Sequence, residues 1–168
     1  LIEDLVEASK VTTGNVTLNI AEVNLNEMAI QISGENEDDL KALGIDLRIN
    51  EPPEDVIVKA DGQKTYRIID NLFSNIKKYT MKDTRAYMEI RKEDGYGVFE
   101  IKNVSKEELN KTEEELMQRF VRGEDARTTE GAGLGLSIAK SLTELQNGIF
   151  TVVIDGDLFK AIIKLPLK

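Results

Sequence analysis

The sequence predicts an α/β two-layer sandwich, in which helices lie on one face of a β-sheet. Strand-like and helix-like segments are mixed along the chain, and tight turns join two pairs of adjacent strands. A strongly amphipathic helix is also predicted from Asp61 to about Tyr79. Because such a helix must bury its apolar side against another element, a sheet covered by helices is the expected arrangement.

The first half of the chain contains two further helical segments and two short strands. Residues 1–10 place apolar side chains on one helical face and are predicted to be the end of a helix that begins upstream. A second helix is predicted over 24–43. The runs IDLRIN and VIVKA are strand-like, and Pro52-Pro53 separates them.

Strands dominate the second half of the chain. Residues 84–92 and 97–103 alternate well enough to be paired strands, and Asp94-Gly95 between them is typical of a tight hairpin turn. The remaining predicted elements are a helix over 113–121, a polar loop over 122–131, a helix over 134–145, and strands over 149–154 and 158–165 around a turn at 155–157.

The composition limits the possible functions. The chain has 168 residues, 40% of them hydrophobic and 32% charged, which indicates one globular domain or little more. It contains no cysteine and no histidine, so that any metal would be a hard, oxygen-liking cation such as Mg²⁺. The net charge of −9 argues against nucleic-acid binding.

No apolar run approaches the roughly 20 residues that span a bilayer, so we expect a cytoplasmic domain without direct membrane contact. Because the chain begins at Leu1 rather than Met, we also expect it to be a piece of a longer protein.

The helix predicted over 61–79 carries a narrow polar stripe beside its apolar side. Asn71, Asn75 and Lys78 fall within about 60° of one another at helical spacing. A solvated polar face would explain them, but asparagine is a weak helix former and a poor choice for such a face. Amide oxygens can instead ligate Mg²⁺, and an ammonium group can bind a phosphate.

A glycine-rich turn precedes the helix predicted over 134–145. Gly131, Gly133 and Gly135 alternate with other residues in GAGLGLSIAK. An ordinary helix start needs only one glycine, whereas three let a ligand approach the backbone N–H groups of a helix N-terminus. The spacing fits neither a Walker loop, which ends in Gly-Lys-Ser/Thr, nor a dinucleotide fold, which requires a preceding apolar strand.

The loop before the glycines supplies local positive charge. Arg119, Arg122 and Arg127 lie within nine residues of one another. Glu124 and Asp125 could pair with them in an ordinary solvated loop. Three guanidinium groups beside a phosphate-compatible turn would equally suit a triphosphate.

These segments, in this order, resemble the ATP-binding domain of bacterial sensor histidine kinases, which shares a superfamily with DNA gyrase, a heat-shock chaperone and mismatch-repair ATPases. Residues 71–80 (NLFSNIKKYT) resemble the asparagine box of that family, residues 119–123 (RFVRG) its phenylalanine box, and residues 131–140 its second glycine box. The similarity extends from about residue 45 to Leu167. It implies a Bergerat-type fold, with a mixed sheet of about five strands covered on one face by about three helices.

The resemblance also implies a role for each residue on the predicted helix. Asn75 would coordinate Mg²⁺, and Asn71 would support the metal or the phosphates. Lys78 would contact phosphate, and Tyr79 would pack beside the nucleoside.

The same resemblance assigns the glycine-rich segment and the loop before it to the phosphates. Arg122 would approach the distal phosphates, with Arg127 nearby, under a lid formed by residues 122–133. Phe120 would pack under that lid or belong to the core. The backbone amides would come from the glycine box, with contacts at Gly131, Gly133, Leu134 and Gly135.

One family motif is altered. The family carries an Asp-x-Gly-x-Gly box after a strand, where the aspartate accepts a hydrogen bond from the adenine amine. Asp94-Gly95-Tyr96-Gly97 precedes the strand and is assigned to the hairpin, whereas Asn103 stands at the corresponding position without the glycines. An asparagine oxygen can still accept from the amine, at a cost of roughly tenfold in affinity.

The resemblance implies a histidine kinase catalytic domain that binds Mg-ATP and donates the γ-phosphate to a histidine on a separate domain. Residues 1–22 would be the end of a dimerisation helix and a linker, and residues 23–168 the ATP-binding domain. The partners would be the dimerisation and phosphotransfer domain of the same protein and a downstream response regulator. We expect the fragment to be a monomer and its parent to be a membrane-anchored homodimer.

Two other functions are compatible with the same motifs. The chain could be a serine-directed anti-sigma kinase of the same fold, although the helical segment at 1–10 speaks against it. It could also be a non-catalytic interaction module that retains only the scaffold, which the missing glycines around Asn103 would favour.

Overall fold

The computed structural model describes residues 17–109, 112, 114–115 and 135–168. Within these ranges lie four helices and seven strands. In chain order they are β1 (Ile20–Asn24), α1 (Leu25–Glu35), α2 (Glu37–Ala42), β2 (Asp46–Asn50), β3 (Ile57–Asp61), α3 (Gly62–Tyr79), β4 (Arg85–Glu93), β5 (Tyr96–Val104), α4 (Gly135–Leu145), β6 (Ile149–Asp155) and β7 (Leu158–Pro166). The predicted helices at 1–10 and 113–121 and the polar loop at 122–131 fall wholly or largely outside the described residues.

Five of the strands form the mixed sheet. Their order is β2-β4-β5-β7-β6, in which β2 runs parallel to β4 and the other neighbours are antiparallel. The predicted sheet of about five strands is confirmed. The strands β1 and β3 form a separate antiparallel pair, so the predicted runs IDLRIN and VIVKA are both strands but lie in different sheets.

One face of the sheet forms the core. Along β4, Ala86, Met88 and Ile90 are buried, whereas Tyr87 between them is exposed. The buried face packs against the apolar side of α3 in a single hydrophobic cluster that also includes α1 and α4. Alternate residues of the strands therefore pack against the apolar side of the helices, as the two-layer prediction requires.

The single helix predicted over 24–43 is wrong in one respect, because the chain forms two helices there. Asn24 caps α1 by accepting from the backbone N–H of Glu27 at 3.2 Å. Asn36 ends α1, and its buried side chain donates to the Ile32 carbonyl at 2.8 Å. The acidic residues Glu37, Asp38 and Asp39 then favour a new helix N-terminus. Within the described ranges, no helix is both long and apolar enough to cross a membrane.

The predicted hairpin turn at Asp94-Gly95 is confirmed. Both residues have positive φ, 49° and 83°, as a two-residue turn between antiparallel strands requires. Glycine is needed at position 97 for a different reason, because a Cβ there would overlap the side chains of Val56 and Val58. The glycines of this segment therefore serve the turn and the approach of β3 to β5.

Candidate nucleotide-binding site

The helix α3 begins at an Asp61 cap, as the sequence predicts. The Asp61 carboxylate accepts from the backbone N–H of Lys64 at 3.1 Å and from that of Asn19 at 2.8 Å. Burial alone would raise the pKa of Asp61, but backbone N–H groups, including those of Asn19 and Lys64, hold it below its ordinary value. The cap fixes the start of the helix and therefore the direction of each side chain further along it.

The predicted polar stripe lies on one continuous helix. The helix is unbroken to Tyr79, so that Asn71, Asn75 and Lys78 share one side of it at intervals of four and three residues. Asn71 and Asn75 are half-buried and Lys78 is exposed. The Nδ2 atom of Asn71 is buried and has no hydrogen-bond partner in the described part of the chain. The structure therefore brings these three residues together beside the core.

Asn103 is buried at the end of β5. It lies between Ala86 of β4 and Phe159 of β7 and is 3% exposed. Its Oδ1 atom is a buried acceptor for which the described residues provide no donor. The sequence analysis predicted that this oxygen accepts from a ligand, and its environment leaves it available to do so.

Thr80 is a polar residue at this site to which sequence reasoning gave no role. Its backbone N–H ends α3 by donating to the Ile76 carbonyl at 3.1 Å, and its bridge with Ser105 joins the end of the helix to the end of β5. The side chain is almost completely buried, at 4% exposure, and its Oγ1 atom has no partner within the described ranges. The sequence signal for Thr80 was a hydroxyl residue directly after the last residue of the helix. Only the bridge to Ser105, at the end of a distant strand, shows that this residue belongs to the site.

The backbone also secures this junction. The N–H of Met81 donates to the Val104 carbonyl at 2.9 Å, and the N–H of Lys106 donates to the Tyr79 carbonyl at 2.8 Å. Tyr79 is half-buried between these contacts. The end of α3 is therefore held against β5, so that Tyr79 and Thr80 lie beside the last residues of that strand.

Three buried polar atoms, one on α3, one just after α3 and one on β5, lack partners in the described structure. They are one amide nitrogen, one amide oxygen and one hydroxyl, belonging to Asn71, Asn103 and Thr80. An unpaired buried polar group costs about 1–3 kcal/mol, and folded proteins rarely keep several together. A polar ligand that donates and accepts hydrogen bonds would satisfy all three.

The helix α4 packs beside α3 in the opposite direction. Its C-terminal neighbour Gln146 accepts from the backbone N–H of Asp61 at 2.7 Å, at the start of α3. Because α4 packs along α3 through buried residues such as Ile138 and Leu142, its first residue, Gly135, lies towards the half of α3 that carries Asn71. The N-terminal N–H groups of α4 therefore lie on the Asn71 side of α3, and groups of this kind can bind an anion.

Several predicted site residues lie outside the described residues. They are Arg122, Arg127, Gly131, Gly133 and Leu134, together with Arg119 and Phe120. Their roles stay predictions.

The amide oxygens of the site suit a magnesium ion whose other ligands come from the nucleotide phosphates and from water. In the described ranges, no three acidic side chains gather where they could hold a metal. Mg²⁺ commonly takes only one or two protein oxygens and completes its shell with water and substrate phosphates. The half-buried Asn75, whose amide oxygen is neutral, fits that pattern.

Comparisons with known proteins identify the family of this chain. A family model described as "Histidine kinase-, DNA gyrase B-, and HSP90-like ATPase" matches residues 60–168. The chain is 27% identical over 174 aligned positions to the sensor protein kinase WalK of Staphylococcus aureus, an alignment that covers 100% of this chain and 41% of WalK. The chain thus spans less than half of that relative.

Solved structures share the fold. The catalytic domain of the histidine kinase ThkA superposes with a TM-score of 0.76 at 22% identity, over 89% of this chain and 96% of that one. Full-length ShkA in complex with AMPPNP gives a TM-score of 0.81 at 19% identity, over 99% of this chain and 35% of that one. The family match covers well over half of the chain, which therefore belongs to the histidine kinase-, DNA gyrase B- and HSP90-like ATPases.

Proposed function

We propose that this chain binds Mg-ATP and donates the γ-phosphate to a histidine on another domain of a sensor histidine kinase. The observation that carries the proposal is the set of unpaired buried polar atoms, those of Thr80 and Asn103 where α3 meets β5 and that of Asn71 further back along α3, towards the start of α4. The sequence contains no histidine, so the acceptor must lie outside it.

The nucleoside end of the ligand would lie against β5. Asn103 offers a buried acceptor oxygen that suits the 6-amino group of adenine. Tyr79, half-buried at the end of α3, would pack beside the nucleoside. This arrangement directs the triphosphate along α3 towards its charged and amide side chains.

The phosphates would lie beside the polar stripe of α3 and the start of α4. Lys78 supplies an exposed ammonium in the last turn of α3, and Gly135 supplies an N-terminal backbone N–H. Arg122, Arg127, Gly131, Gly133 and Leu134 would complete the contacts. Asn75 would hold Mg²⁺, which neutralises phosphate charge when bound. Asn71 would support the metal or the phosphates.

The chemistry of this chain is mainly positional. Phosphoryl transfer needs the donor held in line with the acceptor and its negative charge stabilised, and the fixed helix α3 provides both through Asn75 and Lys78. Because the attacking imidazole belongs to another domain, any general base beside it would belong there too.

The proposed partners follow from the same function. Residues 1–22 would form the end of a dimerisation helix and a linker, and residues 23–168 the ATP-binding domain. The strand β1 begins at Ile20, so the last residues of that linker already pair with β3. The parent would be a membrane-anchored homodimer that passes phosphate to a response regulator, with this domain in the cytoplasm.

Transfer to a separately purified dimerisation domain of the parent protein tests the proposal. With Mg-ATP labelled at the γ-phosphate, we expect the added domain to acquire label that is stable to alkali and labile to acid, as phosphohistidine is. A variant of that domain without its histidine should stay unlabelled. Acid-stable label on serine, or nucleotide binding without any transfer, would contradict the proposal.

A further inference from the structure

We propose that Asn103 and Thr80 together form a purine-reading pair that accepts 6-oxo as well as 6-amino purines, so that the site binds inosine triphosphate about as tightly as ATP. The inference rests on the proposed nucleotide function and extends it to the breadth of the substrate. Two buried side chains carry it, and both are neutral.

The two groups are buried and available. Asn103 is 3% exposed and Thr80 is 4% exposed, and the described residues leave both Asn103 Oδ1 and Thr80 Oγ1 without a partner. The hydroxyl of Ser105, the residue bridged to Thr80, already accepts a hydrogen bond from the backbone N–H of Glu107 at 3.3 Å. Where the end of α3 meets β5, Asn103 and Thr80 therefore each have a buried oxygen without a partner among the described residues.

The strand register places the pair on the same edge of the site. Thr80 is bridged to Ser105 in an antiparallel arrangement, and Asn103 is two residues before Ser105 on the same side of β5. Diagonal neighbours of this kind have Cα atoms roughly 7–8 Å apart and lie on the same face of the strands. Two adjacent atoms on the edge of one base could therefore be bound by the two side chains.

Both groups can reverse their hydrogen-bonding polarity. A carboxamide carries an acceptor oxygen and a donor nitrogen on one carbon, and a half-turn about the last side-chain bond exchanges them. A hydroxyl donates or accepts according to its rotation. Adenine presents a donor at position 6 and an acceptor at N1, whereas hypoxanthine presents an acceptor at position 6 and a donor at N1. One setting of the pair complements the first base, and the reversed setting complements the second.

A carboxylate at position 103 would lack this property. An ionised carboxyl group only accepts, so it would meet the 6-oxo group of hypoxanthine with like partial charge. The variant Asn103→Asp changes this single feature while it keeps the size of the side chain. It therefore separates a base-reading role from a purely structural one.

Calorimetric titration with Mg-ATP and Mg-ITP tests the inference, because the two bases differ only at position 6 and N1. For the unmodified chain we expect dissociation constants that agree within about fivefold. For Asn103→Asp we expect ATP binding to be retained or tighter and ITP binding to fall by at least about tenfold. Asn50→Asp, which adds the same charge at an exposed position on β2, should leave the ratio unchanged.

Thr80→Val provides an independent variant. Because the hydroxyl serves both bases, both nucleotides should lose affinity together, by about threefold to tenfold. Thr151→Val, at an exposed position on β6, is the matched control. If Asn103→Asp does not fold, the titrations of the unmodified chain and of Thr80→Val still decide the question.

The outcomes distinguish this inference from the function on which it rests. Tight ATP binding with ITP rejected by about thirtyfold or more would overturn the inference and leave the kinase function standing. An unchanged ATP-to-ITP ratio in Asn103→Asp would also overturn it. Failure of the unmodified chain to bind either nucleotide would overturn both.

Discussion

The side chain of Gln146, just after α4, accepts a hydrogen bond from the backbone N–H of Asp61, 2.7 Å away at the start of α3. Gln146 also donates from Nε2 to the Leu142 carbonyl at 3.0 Å, so its buried amide group is used at both ends. The contact fixes the two helices that carry the asparagine and glycine motifs in one antiparallel arrangement. The described part of the glycine motif, from Gly135 onwards, is thereby kept beside α3, although the two motifs are more than 50 residues apart in sequence.

The first prediction concerns this contact. Replacement of Gln146 by Leu leaves the backbone N–H of Asp61 buried without its acceptor, which should lower the free energy of unfolding by about 1–3 kcal/mol. Urea denaturation measures the change. Glu144→Ala, at an exposed position on α4, should lie within about 0.5 kcal/mol of the unmodified chain. Equal stability of Gln146→Leu and the control would show that the contact contributes nothing.

The second prediction concerns pH. The pKa of Asp61 lies below its ordinary value of 3.8, because its backbone hydrogen bonds outweigh burial, which acts in the opposite direction. A carboxyl group whose pKa is lower in the folded state stabilises the fold above its unfolded pKa, and this contribution disappears as the pH falls through the lowered pKa. The stability difference between the unmodified chain and Asp61→Asn should therefore be constant near neutral pH and shrink below about pH 4.

Urea denaturation of both proteins over this pH range measures the Asp61 contribution, since the other carboxyl groups are common to the two chains. A difference that does not change with pH would mean that the charge of Asp61 has no role in stability.

The third prediction separates the function of Asn75 from the stability of α3. Asn75→Ala should abolish magnesium-dependent ATP binding in calorimetry, because the variant lacks the proposed metal-binding amide. The free energy of unfolding should stay the same or rise by up to about 0.7 kcal/mol, since alanine is the better helix former. Gln63→Ala, at an exposed position in the first turn of the same helix, should bind ATP normally. Unaltered magnesium-dependent affinity in Asn75→Ala would refute the metal role.

The fourth prediction uses two neighbouring lysines. Lys78→Gln should weaken ATP binding by about tenfold and leave adenosine binding unchanged, because the ammonium group is proposed to contact only phosphate. Lys77→Gln is the matched control, since Lys77 lies on another side of α3, where its Nζ atom is 3.2 Å from Oδ2 of Asp39. Equal losses in the two variants would indicate a general charge effect rather than a contact at Lys78.

Local signals predicted much of the fold. The Asp61 cap, the apolar stripe to Tyr79 and the Asp94-Gly95 turn each depend on a few neighbouring residues, and the structure confirms all three. The break at Asn36 was missed, because the apolar spacing continues through it and gives no sign of the buried contact from the Asn36 amide to the Ile32 carbonyl.

Features that depend on distant pairing could not be predicted. The strand β1 exists because Ile20–Asn24 pairs with β3, more than 30 residues further along the chain. Thr80 belongs to the candidate site because it is bridged to Ser105, and no short-range pattern indicates that contact. Asn71, Asn75 and Lys78 were identified from their helical spacing, whereas Asn103 was identified only through the family resemblance.

A crystal structure of the chain grown with magnesium and a non-hydrolysable ATP analogue would show whether the nucleotide occupies this site. We predict that the base contacts Asn103, that the metal contacts the Asn75 amide oxygen, and that the phosphates lie beside the start of α4. A nucleotide bound away from the junction of α3 and β5, with the buried atoms of Asn71, Thr80 and Asn103 still unpaired, would contradict it.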